Sequence, residues 1–247
     1  YKNEVFILNN AGKEIKVFSL DGDFHSSFKI EKAWISDSIA VNERLIITDT
    51  RYASGNNYNS LRLISMFDHK GKKLEEIGKI IKCASMIGYL NFNQAYLALK
   101  KDQIFGAFDN RPILFSYKKD GTEIIFKDLE KDGFEEIIIK AKKERDENFD
   151  TPETIKSDNN LRYLNYCSGF SVDKGLNVYY AINIYYENSN RPYSLIYVFN
   201  KKFQLKKKLL PKYMNNTVTI KSILIDHKNS RFIIAQTERG LVLFKFK

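Results

Sequence analysis

The chain has 247 residues, 43% apolar and 28% charged, which is enough to bury a sizeable core in an ordinary folded protein. A formal charge of +10 permits an anionic partner without naming one. Two cysteines exclude a disulfide framework, and no apolar run approaches the length of a membrane span.

The 15 Tyr and 18 Phe, beside 12 Gly and 4 Pro, favour strands. The chain opens on "YKNEVF", without Met and inside a strand-like run, which predicts that an upstream segment was removed or not included. The first unit to close is "EIKVFSLDG", an apolar run ending at Phe18 before Asp21-Gly22. The arrangement returns in "LRLISMFDHKG" at Phe67, "PILFSYKKDG" at Tyr117, "SLIYVFNKKF" at Phe199 and "GLVLFKFK" at Phe244. The intervals are 49, 50, 82 and 45 residues, and all but the long one match propeller-type repeats.

Each of these runs predicts one strand, C. After its turn comes a second short strand, D: "FHSSFKI", "KLEEIGK", "EIIFKDL" and "QLKKKLL". Before C, "SIAVNERLIITDT", "YLALKKDQIFGAF", "FSVDKGLNVYYAI" and "ILIDHKNSRFIIAQ" each predict a hairpin, A and B, with a tight polar turn. A repeated four-stranded meander is an all-β propeller of antiparallel blades. The first unit lacks strand A and the last lacks strand D, so five units are visible over residues 1–247, read as a single domain.

The long interval holds an insertion between D and the next A, about residues 128–160. Within it "GFEEIIIKAKKERDENFD" predicts one amphipathic helix over residues 133–148, with Phe134, Ile137, Ile138 and Ala141 on its apolar face. Glu136 and Lys140 stand four apart, as a supportive ion pair would. Cys83 and Cys167 each precede an apolar segment and are expected as unpaired, partly buried thiols.

The stretches "IKVFSLDGDFHSSF" and "LISMFDHKGKKLEEIG" resemble the strand, Asp-Gly turn and strand of NHL-type and TolB-like six-bladed propellers, which are abundant in Bacteroidetes. The resemblance covers most of the chain and is one of fold rather than activity. It implies a sixth blade upstream of Tyr1, against the alternative of a five-bladed ring. It also implies export to the periplasm, the outer membrane surface or the medium.

In a propeller the A–B and C–D turns share one face, and the B–C and D–A connections share the other. Here the first set is tight throughout. The second includes "TRYASGNNYNS", "YYENSNRPY" and the helical insertion. Long loops on a rigid scaffold commonly carry binding. Each B–C loop also holds a cation: Lys13, Arg51, Arg111, Arg191 and Arg239. Tyr52, Tyr185, Tyr186 and Tyr193 accompany them. Arginine offers a fork of donors to carboxylate or phosphate, and tyrosine a stacking surface with a polar tip. Arg51, Tyr52, Arg111, Tyr185, Tyr186, Arg191, Tyr193 and Arg239 are therefore the candidate ligand-binding residues, for an unidentified protein, a peptide or an acidic glycan. The structural alternative is that Asn-Arg-Pro, at 110–112 and 190–192, only starts strand C, with nearby acids pairing the arginines.

Catalytic signatures are absent from the sequence. His25, His69 and His227 fall near tight turns of different units and read as solvated. No nucleophile elbow or phosphate-binding glycine loop occurs. The enzymatic alternative is a metal-dependent propeller hydrolase or lyase, as the resemblance implies. A channel cation such as Ca2+ would take oxygens from Asp49, Asp109, Glu187 and Glu238, although their spacing does not require it. No other cofactor is expected. The basic run "KKFQLKKKLLPK" lies on an outer D strand, where lysines block edge pairing, so nucleic acid is not the expected partner.

Overall fold

The computed structural model describes residues 4–9, 14–29, 35–41, 46–50, 62–81, 93–140, 166–185, 192–213, 216–225, 230–237 and 240–246. They form five antiparallel sheets in chain order. The first holds β1 (Glu4–Asn9), β2 (Glu14–Ser19) and β3 (Phe24–Lys29). The second holds β4 (Ile35–Val41), β5 (Ile46–Thr50), β6 (Ile64–Phe67) and β7 (Lys73–Ile77). The third holds β8 (Ala95–Lys100), β9 (Gln103–Phe108), β10 (Ile113–Lys118) and β11 (Glu123–Asp128). The fourth holds β12 (Gly169–Val172), β13 (Val178–Tyr185), β14 (Pro192–Phe199) and β15 (Leu205–Leu209). The fifth holds β18 (Thr219–Ile225), β19 (Arg231–Thr237) and β20 (Gly240–Phe246). A small hairpin, β16 (Lys212–Tyr213) with β17 (Asn216–Thr217), links the fourth and fifth sheets and has no counterpart among the described residues of the other blades.

Each sheet is a meander, and β4, β8, β12 and β18 touch one another in turn as the inner strands. This is the blade arrangement of a propeller, with five blades. Among the described residues, the first blade has no strand inside β1 and the fifth none outside β20. A sixth blade, which the resemblance implies, is not among the described residues.

The cores lie between blades, and strand periodicity explains them. Successive side chains point to opposite faces of a sheet. On β9, Ile104 and Phe108 face the second blade with Phe115 and Tyr117 of β10, while Phe105 and Ala107 face the fourth. On β13, Val178, Tyr180 and Ile182 face the third blade, and Tyr179 and Ala181 the fifth. Both faces of these inner blades are covered, so their strands read as nearly continuous apolar runs. The terminal blades differ. Val5, Ile7 and Phe24 stay exposed on the outward face of the first, and Leu241 and Leu243, at 66% and 62%, on that of the fifth.

The aromatic that marks the repeat has a structural cause. The C–D register shifts at Val17/Phe18, Met66/Phe67, Ser116/Tyr117 and Val198/Phe199, so this residue sits at a bulge in each of four blades. The turn that follows is built by local side-chain capture. Ser19, Asp68 and Asn200 each accept backbone N–H groups from two and four residues ahead. The fourth position of the turn needs positive φ, and Gly22, Gly71 and Gly121 supply it. In the fourth blade Phe203 takes that position at φ 54°. Its ring is fully buried, 6.3 Å from that of Phe105.

The insertion begins as expected, with a helix α1 over residues 135–140; the rest of the expected helix, with Ala141, lies outside the described residues. Its inward side is Phe134, Ile137 and Lys140, spaced by three. Ile138 was expected inward but is exposed, because the described turns meet the blade along the line of Phe134, Ile137 and Lys140. Glu136 does not pair with Lys140 as its spacing suggested. Its carboxylate accepts from Lys208 Nζ at 2.6 and 2.8 Å and from the Tyr197 hydroxyl at 2.8 Å. Among the described residues no helix is long and apolar enough to cross a membrane.

Candidate ligand-binding face

Antiparallel meanders put the B–C and D–A connections at one end of each blade, and the described part of that face is best defined between blades three and four. The connection 109–112 joins β9 to β10 and carries Arg111. It is fixed at every residue. The Asp109 N–H donates to the Gln94 carbonyl at 2.9 Å, and the Asp109 carbonyl accepts from Tyr166 and Cys167 N–H at 2.7 and 3.1 Å. Asn110, nearly fully buried, donates through Nδ2 to Gln94 Oε1 at 3.3 Å. The Arg111 carbonyl accepts from Ile113 N–H, and the Pro112 carbonyl from Leu129 N–H. The loop therefore presents the half-buried Arg111 side chain from a rigid base, which lowers the ordering cost of binding.

The helix and the entry to blade four complete this region. Lys140 is only 6% exposed, with Nζ 5.7 Å from the centre of the Tyr166 ring. Cys167 is a free, buried thiol whose pKa is pushed well up by burial and then by the charge of Asp109. Among the described residues the buried Tyr180 hydroxyl has no hydrogen-bond partner, and burial raises its pKa well above the ordinary value. Tyr197 stacks on Tyr180, 6.4 Å between centroids, and burial followed by the hydrogen bond to Glu136 raises its pKa as well.

Of the eight candidate binding residues, Arg111 and Tyr193 are described with their side chains. Tyr193 is half-buried against the core between blades three and four. Tyr185 ends β13 opposite Pro192. Arg51, Tyr52, Tyr186, Arg191 and Arg239 lie outside the described residues. Cys83 and His227 do too, as do Lys13, Glu187 and Glu238. His25 lies 3.6 Å from Glu4, and the His69 ring meets Phe6 edge-on. Among the described residues, no three His, Cys, Asp or Glu side chains converge as a metal site.

No protein-family model matches this sequence, and no curated protein does. Solved structures match in fold. A Bacteroides caccae protein of unknown function aligns over 99% of this chain at 10% identity and a TM-score of 0.51. A catalytically inactive virginiamycin B lyase from Staphylococcus aureus, solved with quinupristin, aligns over 98% at 11% identity and 0.51. A Bacteroides fragilis protein named "Putative exported protein" aligns over 95% at 10% identity and 0.50. This chain spans 69%, 66% and 64% of their respective lengths. The likeness is one of fold.

Sequence reasoning missed the polar clasp between blades four and five on this same face. Ser194 Oγ bonds Asn183 Oδ1 and accepts the Ile220 N–H at 2.6 Å. Asn183 Nδ2 donates to the Ile220 carbonyl at 3.2 Å, and Ser194 N–H to the Val218 carbonyl at 3.0 Å. The only sequence signal was a serine and an asparagine interrupting the apolar runs "YYAINIYY" and "PYSLIYVF".

Proposed function

We propose that this chain is a non-catalytic binding propeller whose ligand face is formed by the B–C connections and the helical insertion, and whose ligand is an acidic glycan or an acidic peptide. The observation that carries the reading is Arg111, half-buried on a B–C connection whose backbone is fixed by hydrogen bonds to Gln94, Leu129 and the entry to blade four. A guanidinium presented from a rigid scaffold suits a carboxylate-bearing partner.

The finer architecture in this reading is a six-bladed propeller of the NHL or TolB-like kind. Its support is the pair of apolar outward faces on the first and fifth blades, which would accept a further sheet. Export from a bacterial cell belongs to the same reading, with the Bacteroides fragilis neighbour as support.

Glycan and peptide arrays probed with the chain should return acidic ligands. Arg111→Ala combined with Arg191→Ala should weaken the best of them about ten-fold or more while leaving thermal unfolding unchanged. Undiminished binding by the double variant would sink the assignment of this face.

A further inference from the structure

The opposite face of blade three carries a second concentration of charge. The tripeptide Lys-Lys-Asp occurs twice within 21 residues, at 100–102 and at 118–120. The first forms the A–B turn and the second enters the C–D turn, so the fold sets them side by side. The Lys119 N–H donates to the Asp102 carbonyl at 3.3 Å, and Lys119 Nζ meets Asp102 Oδ1 at 2.7 Å. Together the turns border an open cleft of about 510 Å³, lined by four lysines (100, 101, 118 and 119), by Asp102, Asp120 and Gln103, and by the apolar Ile124 and Leu176.

The acids nearby are largely committed. Asp102 is taken by Lys119. Asp120 accepts the Thr122 N–H within its own turn. Asp173, near Lys100, is buried and already accepts from Asn177 N–H, Asn177 Nδ2 and the Tyr179 hydroxyl, with Arg231 at 3.8 Å. Lys101 and Lys118 have no ion pair among the described residues. Lys100 is half-buried, also without one, and burial lowers its pKa against the opposing charge of Asp173. A half-withdrawn ammonium without a bonded counter-ion is a site that an anion would stabilise. Lys101 at φ 55° and Leu176 at φ 62° hold tight-turn conformations, as Phe203 does, and both line this cleft.

We propose that this cleft binds a small anion carrying two or more charged groups, of the polyphosphate type. With Lys119 held by Asp102, the ammonium groups of Lys100, Lys101 and Lys118 and no guanidinium favour charge spread over several oxygens rather than one carboxylate gripped by a fork. Ile124 and Leu176 would shelter an apolar portion of the ligand. The site is separate from the Arg111 face and does not depend on the function proposed for it.

The test is calorimetric titration of the whole chain with inorganic tripolyphosphate at low ionic strength. Saturable one-site binding is expected. Lys101→Asn with Lys118→Gln should weaken it about ten-fold or more, because both charges act at short range. Asparagine tolerates the left-handed backbone, so this pair should not unfold the turn. Arg111→Ala should leave the affinity unchanged. Absence of saturable binding, an unchanged affinity in the lysine double variant, or an equal loss in Arg111→Ala would each overturn the proposal.

Discussion

Beside its apolar contacts, the helix on the candidate face is tied to blade four by one carboxylate, and removing it gives a sharp prediction. Glu136 accepts from Lys208 Nζ at 2.6 Å and from the Tyr197 hydroxyl at 2.8 Å. The Lys208 ammonium also sits 5.6 Å above the Tyr197 ring. In Glu136→Ala the ion pair is lost, but both partners are partly solvated, so its share is below about 1 kcal/mol. The larger share comes from the fully buried Tyr197, whose hydroxyl is left without an acceptor at about 1–3 kcal/mol. A total near 2 kcal/mol corresponds to a fall of about 4–8 °C in Tm for a chain of this size. In a Tyr197→Phe background no hydroxyl is left orphaned, and Glu136→Ala should cost less than about 1 kcal/mol. Thermal unfolding followed by circular dichroism for the four proteins of this cycle measures the coupling. An equal cost of Glu136→Ala in both backgrounds would refute the reasoning. The pH dependence follows from the same contacts. Burial alone would raise the Glu136 pKa, but the hydrogen bonds from Lys208, from its own backbone N–H and from Tyr197 outweigh it and hold the group below its ordinary value of 4.5. A carboxylate with a lowered folded pKa stabilises above its unfolded value, and that stability is lost as pH falls through the folded one. The Glu136→Ala penalty should therefore be full at neutral pH and shrink as the solution is taken below 4.5.

Two further outcomes rest on single residues. Phe203→Ala should destabilise by about 3–5 kcal/mol through lost core packing. Phe203→Gly should be the milder change by about 1 kcal/mol, because glycine relieves the positive φ; denaturant midpoints that favour alanine would contradict the turn geometry. In a Cys83→Ser background, Cys167 should resist an aromatic disulfide reagent in the native state and react fully once denaturant is added, since burial disfavours its thiolate. Rapid native modification, read by absorbance, would show the thiol to be accessible.

The fold was legible because its signals are local. A strand that alternates between two neighbouring blades must be apolar on both faces, and "ILFSYK" and "SLIYVF" are. A C–D turn captures its own N–H groups through Ser19, Asp68 or Asn200, so side chain and turn lie within five residues. The helix contacts were illegible for the opposite reason. Glu136 had a plausible partner four residues away, yet its actual partners lie 61 and 72 residues away, and blade packing brings them closer than the helix surface does. Local periodicity ranks neighbours along an element and is blind to the neighbouring blade.

The same limit shaped the reading of function. Arg111 stood out because every B–C connection carries a cation, a feature visible one loop at a time. The lysines of the tight turns gave no such signal. Each Lys-Lys-Asp reads correctly as a polar hairpin turn, and that reading holds for both copies. What it omits is that a four-stranded meander returns its A–B and C–D turns to the same end of the blade. Two ordinary turns then become one charged surface with a common wall, supplied by Leu176 from the next blade. In a repeat built this way, paired turns of one blade are the unit in which surface chemistry should be read, because the topology guarantees their proximity whatever their separation in sequence.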